Sequence, residues 1–155
     1  MTRVGDLMTR EVITVHKNDT IQTLIKVMIR SRIGGVPVVN ERSILTGFIS
    51  DGDILRAIAP KRQNIYDFYS IISAVRVEIR PELLKDLLEK NVKDLMKKKN
   101  IHSVYADNEL DAVLRALSHA HIKKVPVTDD EKHVVGIISR SDIIRHVGEQ
   151  AVNYK

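Results

Sequence analysis

The chain has 155 residues, of which 43% are hydrophobic, 29% charged and 4% aromatic, with a formal net charge of +5 and no cysteine. This is the composition of a globular chain with room for one compact domain or two small subdomains. It excludes a disulfide framework and a thiolate metal site, and no apolar run reaches the ~18 residues that a membrane span needs.

The opening Met1-Thr2-Arg3-Val4-Gly5-Asp6 lacks the apolar core of a signal peptide, so a cytoplasmic protein is expected. Residues 1–56 read as one unit. Thr14-Val15 is a short extended segment. Asp19-Thr20 opens a helix, with Gln22 as the capping-box partner of Asp19. Ile21, Leu24, Ile25, Met28 and Ile29 recur at helical spacing and predict one buried face. Ile33-Gly34-Gly35 ends this helix, glycine tolerating positive φ there. Val36 to Val39 is a buried strand, with Pro37 suited to its start or to a sheet edge because it lacks an amide proton. Glu41-Arg42-Ser43 turns the chain into a second strand, Ile44 to Ser50. A helix then starts over Asp51 to Arg56, with Ser50 or Asp51 as its cap.

Residues 57–91 form a connector. Pro60 to Asn64 reads as loop, and Ile65 to Ile79 is apolar and holds Tyr66, Phe68 and Tyr69. Pro81-Glu82 starts a helix with an apolar stripe of Leu83, Leu84, Leu87 and Leu88. Such a connector packs on the units or on a second copy of the chain and is no flexible linker.

Residues 92–147 repeat the first unit, and residues 148–155 continue the last helix as a tail. Val36-Pro37-Val38-Val39 returns as Val125-Pro126-Val127-Thr128, and Gly47-Phe48-Ile49-Ser50-Asp51-Gly52-Asp53-Ile54 returns as Gly136-Ile137-Ile138-Ser139-Arg140-Ser141-Asp142-Ile143. Pro, Gly, Ser and Asp each recur after 89 residues. Leu7-Met8 and Leu95-Met96 correspond after 88, so one residue was added among Lys97-Lys98-Lys99. Leu110, Val113, Leu114 and Leu117 give the second amphipathic helix. Each unit is strand–helix–strand–strand–helix, the two strands flanking the helix being parallel neighbours and the last two a hairpin.

The two Val-Pro-Val strands and the two closing Gly-hydrophobic-hydrophobic-Ser-x-x-Asp segments resemble a tandem pair of CBS domains, named after cystathionine β-synthase. The resemblance covers about three quarters of the chain, leaving out the connector. It implies an α/β (α+β) fold: two βαββα repeats packed about a pseudo-twofold axis, a stand-alone Bateman module with a partly helical connector. It also implies a sensor that binds AMP, ADP, ATP or S-adenosylmethionine relatives between the repeats without turning them over. A homodimer and a separate target protein follow as expected partners.

Carried onto this sequence, the resemblance implies two sites. The first joins Ser50 and Asp53 to His102, Ser103, Ile122, Lys123 and Pro126; the second joins Ser139 and Asp142 to Val12, Ile13, Ile33, Gly34 and Pro37. The chemistry fits. A carboxylate at a helix start accepts hydrogen bonds from vicinal ribose hydroxyls, a serine three residues earlier donates to ribose or phosphate, and the helix N-terminus favours an anion. The glycine before each Ser-x-x-Asp admits close approach of a ligand to the backbone. Lys123 and His102 favour phosphate at the first site, where Asp51 opposes it, and Arg140 does so at the second.

Simpler roles exist for the same residues. Asp53 and Asp142 serve equally as helix-start acids, Ser50 and Ser139 as caps, and the prolines as strand formers. Lys97 to Lys99 and Lys123-Lys124 suit a solvated surface or an acidic partner, and they motivate a competing reading as a nucleic-acid or protein adaptor with vestigial clefts. His119 and His121 lie two apart and do not make a metal pair, and no metal-binding or catalytic motif occurs. An enzyme is therefore not expected.

Overall fold

The computed structural model describes residues 1–59, 80–119 and 122–153. The first unit runs α1 (Val4–Leu7), β1 (Val15–His16), α2 (Ile21–Ser31), β2 (Gly35–Val39), β3 (Leu45–Ser50) and α3 (Asp51–Ile58). After the connector come α4 (Pro81–Glu89), α5 (Val92–Leu95), β4 (Val104–Tyr105), α6 (Leu110–Leu117), β5 (Lys124–Thr128), β6 (Val134–Ser139) and α7 (Arg140–Asn153). Two three-stranded sheets result, ordered β1-β2-β3 and β4-β5-β6. In each, the first pair is parallel across a helix and the second is an antiparallel hairpin.

Local chemistry accounts for most of this and corrects several expectations. Thr20, not Asp19, caps α2, its side chain accepting from the Thr23 amide. Asp19 instead accepts from the His16 amide at 2.9 Å and holds the turn after β1, as Asn108 does for Tyr105 after β4. The left-handed residue that ends α2 is Arg32, at φ 52° and ψ 47°, while no glycine in the described residues takes positive φ. Ile21, Leu24 and Met28 are buried as expected, but Ile29 is 72% exposed and Leu114 is also exposed, so each apolar stripe is narrower than its spacing suggested. Pro37 lies in the central strand of its sheet, fully buried, opposite Phe48. β1 pairs only with Val38 and Val39, so the missing proline amide faces no ladder partner. The β2–β3 turn closes on Asn40, whose side-chain oxygen accepts from the amides of Arg42 and Ile44. Asp129 does the same in the second unit for Glu131 and His133.

The packing crosses the sequence repeats. Val4 and Met8 of the first unit join the core built on Val104, Val113, Val125, Val127 and Ile138 of the second. Reciprocally, Leu87 and Val92 join the core built on Val15, Leu24, Val36, Val38 and Ile49 of the first. The docking contacts repeat as well. The Val4 amide donates to Asn108 O at 3.0 Å, and the Val92 amide donates to Asp19 O at 2.8 Å. Beyond each leading helix the chain pairs with the far hairpin, Thr9 with Ile137 and Lys97 with Phe48. The two hairpin turns meet where Ile44 bridges His133. There the Leu45 amide donates to Lys132 O and the Val134 amide to Ser43 O. Residues 89 apart exchange these bonds, so the pseudo-twofold axis passes between them.

In the connector, Pro81 occupies the first position of α4 as expected, and Leu87 is its buried residue, while Leu83 and Leu84 stay exposed. The expected loop over Pro60 to Asn64 and the apolar run of Ile65 to Ile79 lie outside the described residues. The last helix extends to Asn153, with Ile143 buried and Ile144 exposed. No helix among the described residues is long and apolar enough to cross a membrane.

Candidate functional site

The N-terminus of α3 forms one wall of a cleft of about 920 Å³ between the units. β3 ends at Ser50, which takes extended dihedrals and serves as the N-cap. Asp53 Oδ2 accepts from the Ser50 amide at 2.9 Å and from Ser50 Oγ at 3.2 Å. Its other oxygen, Oδ1, meets the Arg56 guanidinium. The simpler role of Ser50 and Asp53 as a cap is thus realised. Asp53 and the exposed Arg56 that it pairs with both line the cleft. The Asp51 amide donates to Gly34 O at 2.8 Å, which holds the segment between α2 and β2 against the start of α3.

The opposite wall comes from the second unit. His102, Ile122, Lys123 and Pro126 all line this cleft, as expected, and Ser103 does not. Gly34, expected at the second site, lines the first. Sequence reasoning missed Arg56, Lys97, Ile101 and Lys124, which also line it. Arg56 carried a signal, since it stands three residues after Asp53 on one helix and is repeated as Arg145. Lys97 reaches the cleft only because its backbone pairs with Phe48 in the other unit. A smaller hollow of about 280 Å³ lies between α2 and α4, lined by residues such as Gln22, Leu84 and Leu88, and contains none of the expected site residues.

At the second Ser-x-x-Asp the cap recurs. Asp142 Oδ2 accepts from the Ser139 amide at 2.8 Å and from Ser139 Oγ at 2.9 Å, and Arg145 lies 3.6 Å from Oδ1. Arg140 departs from its expected role. Its Nε donates to Leu117 O at 3.1 Å and its Nη2 to His119 O at 2.7 Å, so the guanidinium satisfies carbonyls at the end of α6. Val12 and Ile33 are half-buried and Ile13 is exposed; Pro37 is buried within its sheet.

The glycines before the two motifs have a different task from the expected one. A β-carbon on Gly47 would overlap Met96 Sδ and fall 2.8 Å from Lys97 O, and one on Gly136 would overlap Met8 Sδ. These positions admit the exchanged leading segments and not a ligand. The His102 and His119 rings stack at a centroid separation of 6.4 Å beside the first cleft. Among the described residues no three His, Asp or Glu side chains converge as a metal cage.

Comparison with known proteins follows this geometry. The model of the CBS domain family matches residues 4–60 and 92–149. The uncharacterized protein MJ1426 of Methanocaldococcus jannaschii is 29% identical over 150 residues, covering 91% of this chain and 88% of that protein. The L-aspartate semialdehyde sulfurtransferase of the same organism is 28% identical over 96% of this chain, which spans only 24% of the sulfurtransferase. Among solved structures, the CBS domain pair of protein MJ0100, in complex with 5′-methylthioadenosine and S-adenosyl-L-methionine, superposes with a TM-score of 0.71 at 28% identity, covering 97% of this chain and 98% of that one. Arabidopsis thaliana CBSX2 superposes with a TM-score of 0.74 at 21% identity, covering 96% of each chain.

Proposed function

The chain belongs to the CBS domain family, carrying two of its repeats as a Bateman module, and from that premise we propose that it is a regulatory module binding an adenosine-containing ligand between the repeats. The observation that carries this reading is the first cleft itself. A capped Ser50–Asp53 helix start from one unit faces Ile122, Lys123, Pro126 and His102 of the other across about 920 Å³. That volume suits a nucleoside-sized ligand, for which pockets of about 300–1,000 Å³ are usual. In this arrangement Asp53 Oδ1 accepts from ribose hydroxyls, Ile122 and Pro126 hold the base, and Lys123 neutralises a 5′ substituent. The adenosine ligands held by the MJ0100 pair support the ligand class.

Relay of occupancy to a target protein completes the proposal. Ligand bridging the two units favours one angle between them, and a partner senses that angle. A homodimer in the cytoplasm is the proposed form. Leu55 and Ile144, 89 residues apart, are 64% and 69% exposed on the closing helices, a repeated apolar feature that a second copy would cover. Calorimetric titration of the nucleotide-stripped protein with AMP, ADP, ATP and S-adenosylmethionine tests the reading. Binding of one of them supports it, and no heat from any of them contradicts it.

A further inference from the structure

We propose that Arg140 is a positioning residue of the first cleft: its guanidinium holds the end of α6 so that Ile122, Lys123 and His102 form the wall facing Ser50 and Asp53. This rests on the functional reading above and adds a residue on which binding depends without touching the ligand.

The two units end their long helices differently. α2 closes on its own backbone: Met28 O accepts from the amides of Arg32 and Ile33, with Arg32 in the left-handed conformation. The residues 89 positions after Met28 and Ile33 are Leu117 and Ile122. There the Ile122 amide donates to His119 O, at 3.2 Å, and Leu117 O accepts from Arg140 Nε at 3.1 Å. α6 ends at Leu117, whereas α2 runs past Met28 to Ser31. A side chain from α7 thus takes the place of a backbone amide that the first unit supplies from its own helix end.

The same residue reaches both sides of Ile122. Arg140 Nη2 donates to His119 O at 2.7 Å, the atom that also accepts from the Ile122 amide. The Arg140 amide donates to Lys123 O at 3.2 Å. Ile122 and Lys123 line the cleft, and Arg140 does not. His102 lines it as well, and its ring stacks on that of His119 at 6.4 Å between centroids. The wall opposite Asp53 is therefore tied to Arg140 through Leu117, His119 and Lys123.

Arginine suits this task. Its planar fork bridges two carbonyls at once, and its charge lies at the negative end of α6. The counterpart of Arg140 is Asp51. The Asp51 amide makes the corresponding bond, to Gly34 O at 2.8 Å, but an ionised carboxylate has no proton to give a carbonyl. α2, closed by its own amides, needs none.

The test uses the full chain, unaltered and as Arg140→Ala, with Arg115→Ala as control. Arg115 is an exposed arginine of α6 paired with Asp111. NMR spectra of the histidine rings are read without ligand. In Arg140→Ala the signals of His102 and His119 are expected to shift, while those of His16 and His133, at the far ends of the hairpins, stay in place. Calorimetric titration with AMP and 5′-methylthioadenosine then reads binding. A ligand that requires Asp53 is expected to bind about fivefold or more weakly in Arg140→Ala, and with unchanged affinity in Arg115→Ala. Where circular dichroism shows that Arg140→Ala does not fold, Arg140→Lys, which keeps the charge and gives up the fork, is read in its place. Unchanged His102 and His119 signals, or unchanged affinity for an Asp53-dependent ligand, overturns the positioning role and leaves the adenosine-binding reading intact. An equal shift of all four rings, the mark of general loosening, overturns it too. Failure of both probes and of ADP, ATP and S-adenosylmethionine to bind the unaltered chain overturns the functional reading, and the ring signals alone then decide whether Arg140 holds the wall.

Discussion

The thioether of Met96 occupies the space that a side chain on Gly47 would need. Met8 stands in the same relation to Gly136. Each methionine belongs to the leading segment of one unit and each glycine to the hairpin of the other. The repeated glycines therefore record an exchange of segments between units, the contact that fastens the two halves together.

Gly47→Ala is expected to destabilise the protein by about 1–3 kcal/mol, the usual cost of overpacking a filled site. Gly136→Ala is expected to cost less. Its next obstacle after the flexible Met8 is Thr9 O at 3.2 Å, whereas Gly47 also faces Lys97 O at 2.8 Å. Urea denaturation of both variants measures the order.

The exchange also fixes where a core defect is felt. Val4 is fully buried in the second unit's core and Val92 in the first's. Val4→Ala is expected to lower stability by about 1–3 kcal/mol and to speed amide exchange in Val125 to Val127 more than in Val36 to Val38. Val92→Ala is expected to do the reverse. Native-state hydrogen exchange distinguishes this from packing within contiguous repeats, for which Val4→Ala loosens Val36 to Val38.

The internal repeat was legible because identical chemistry recurred at one spacing, and both hairpins followed from it. The exchange was not legible. Val4-Leu7 and Val92-Leu95 look alike in sequence, and nothing in a short apolar helix says which of two similar cores it enters. Part of the lining of the first cleft was legible for the same reason. Ser50, Asp53, His102, Ile122, Lys123 and Pro126 were found through the repeat and the family pattern, and they line the cleft. Lys97 was missed because the exchange carries it there, and Arg140 was misread because its partners, Leu117 O and His119 O, are backbone atoms of a distant helix. The expected cap on Asp19 was one residue early: both Asp19 and Thr20 suit a helix start, and the preceding turn claims the aspartate.

Acid sensitivity is expected at the turn beside the pseudo-twofold axis. Desolvation pushes the Asp129 carboxyl up, but the His133 amide, the His133 ring at 3.1 Å and the Glu131 amide together hold it below its ordinary value of 3.8. A lowered folded value means this contribution is full above the ordinary value and is lost as pH falls through the folded one. Asp129→Asn, which installs the residue found at Asn40, is expected to keep the turn and flatten the dependence of stability on pH below about 4. Denaturant midpoints of both proteins across that window check it.

The central claim is that the cleft built on Ser50 and Asp53 receives an adenosine-containing ligand. Calorimetric titration of the unaltered chain and of Asp53→Ala with AMP, ADP, ATP and S-adenosylmethionine tests it most directly. The loss of a cap costs about 1 kcal/mol, so the variant is expected to remain folded, as its circular dichroism will report. The account predicts binding to the unaltered chain and at least a tenfold weakening, about 1.4 kcal/mol, for a ligand of the first cleft in the variant. Equal affinity of folded Asp53→Ala for every ligand that binds the unaltered chain would contradict it.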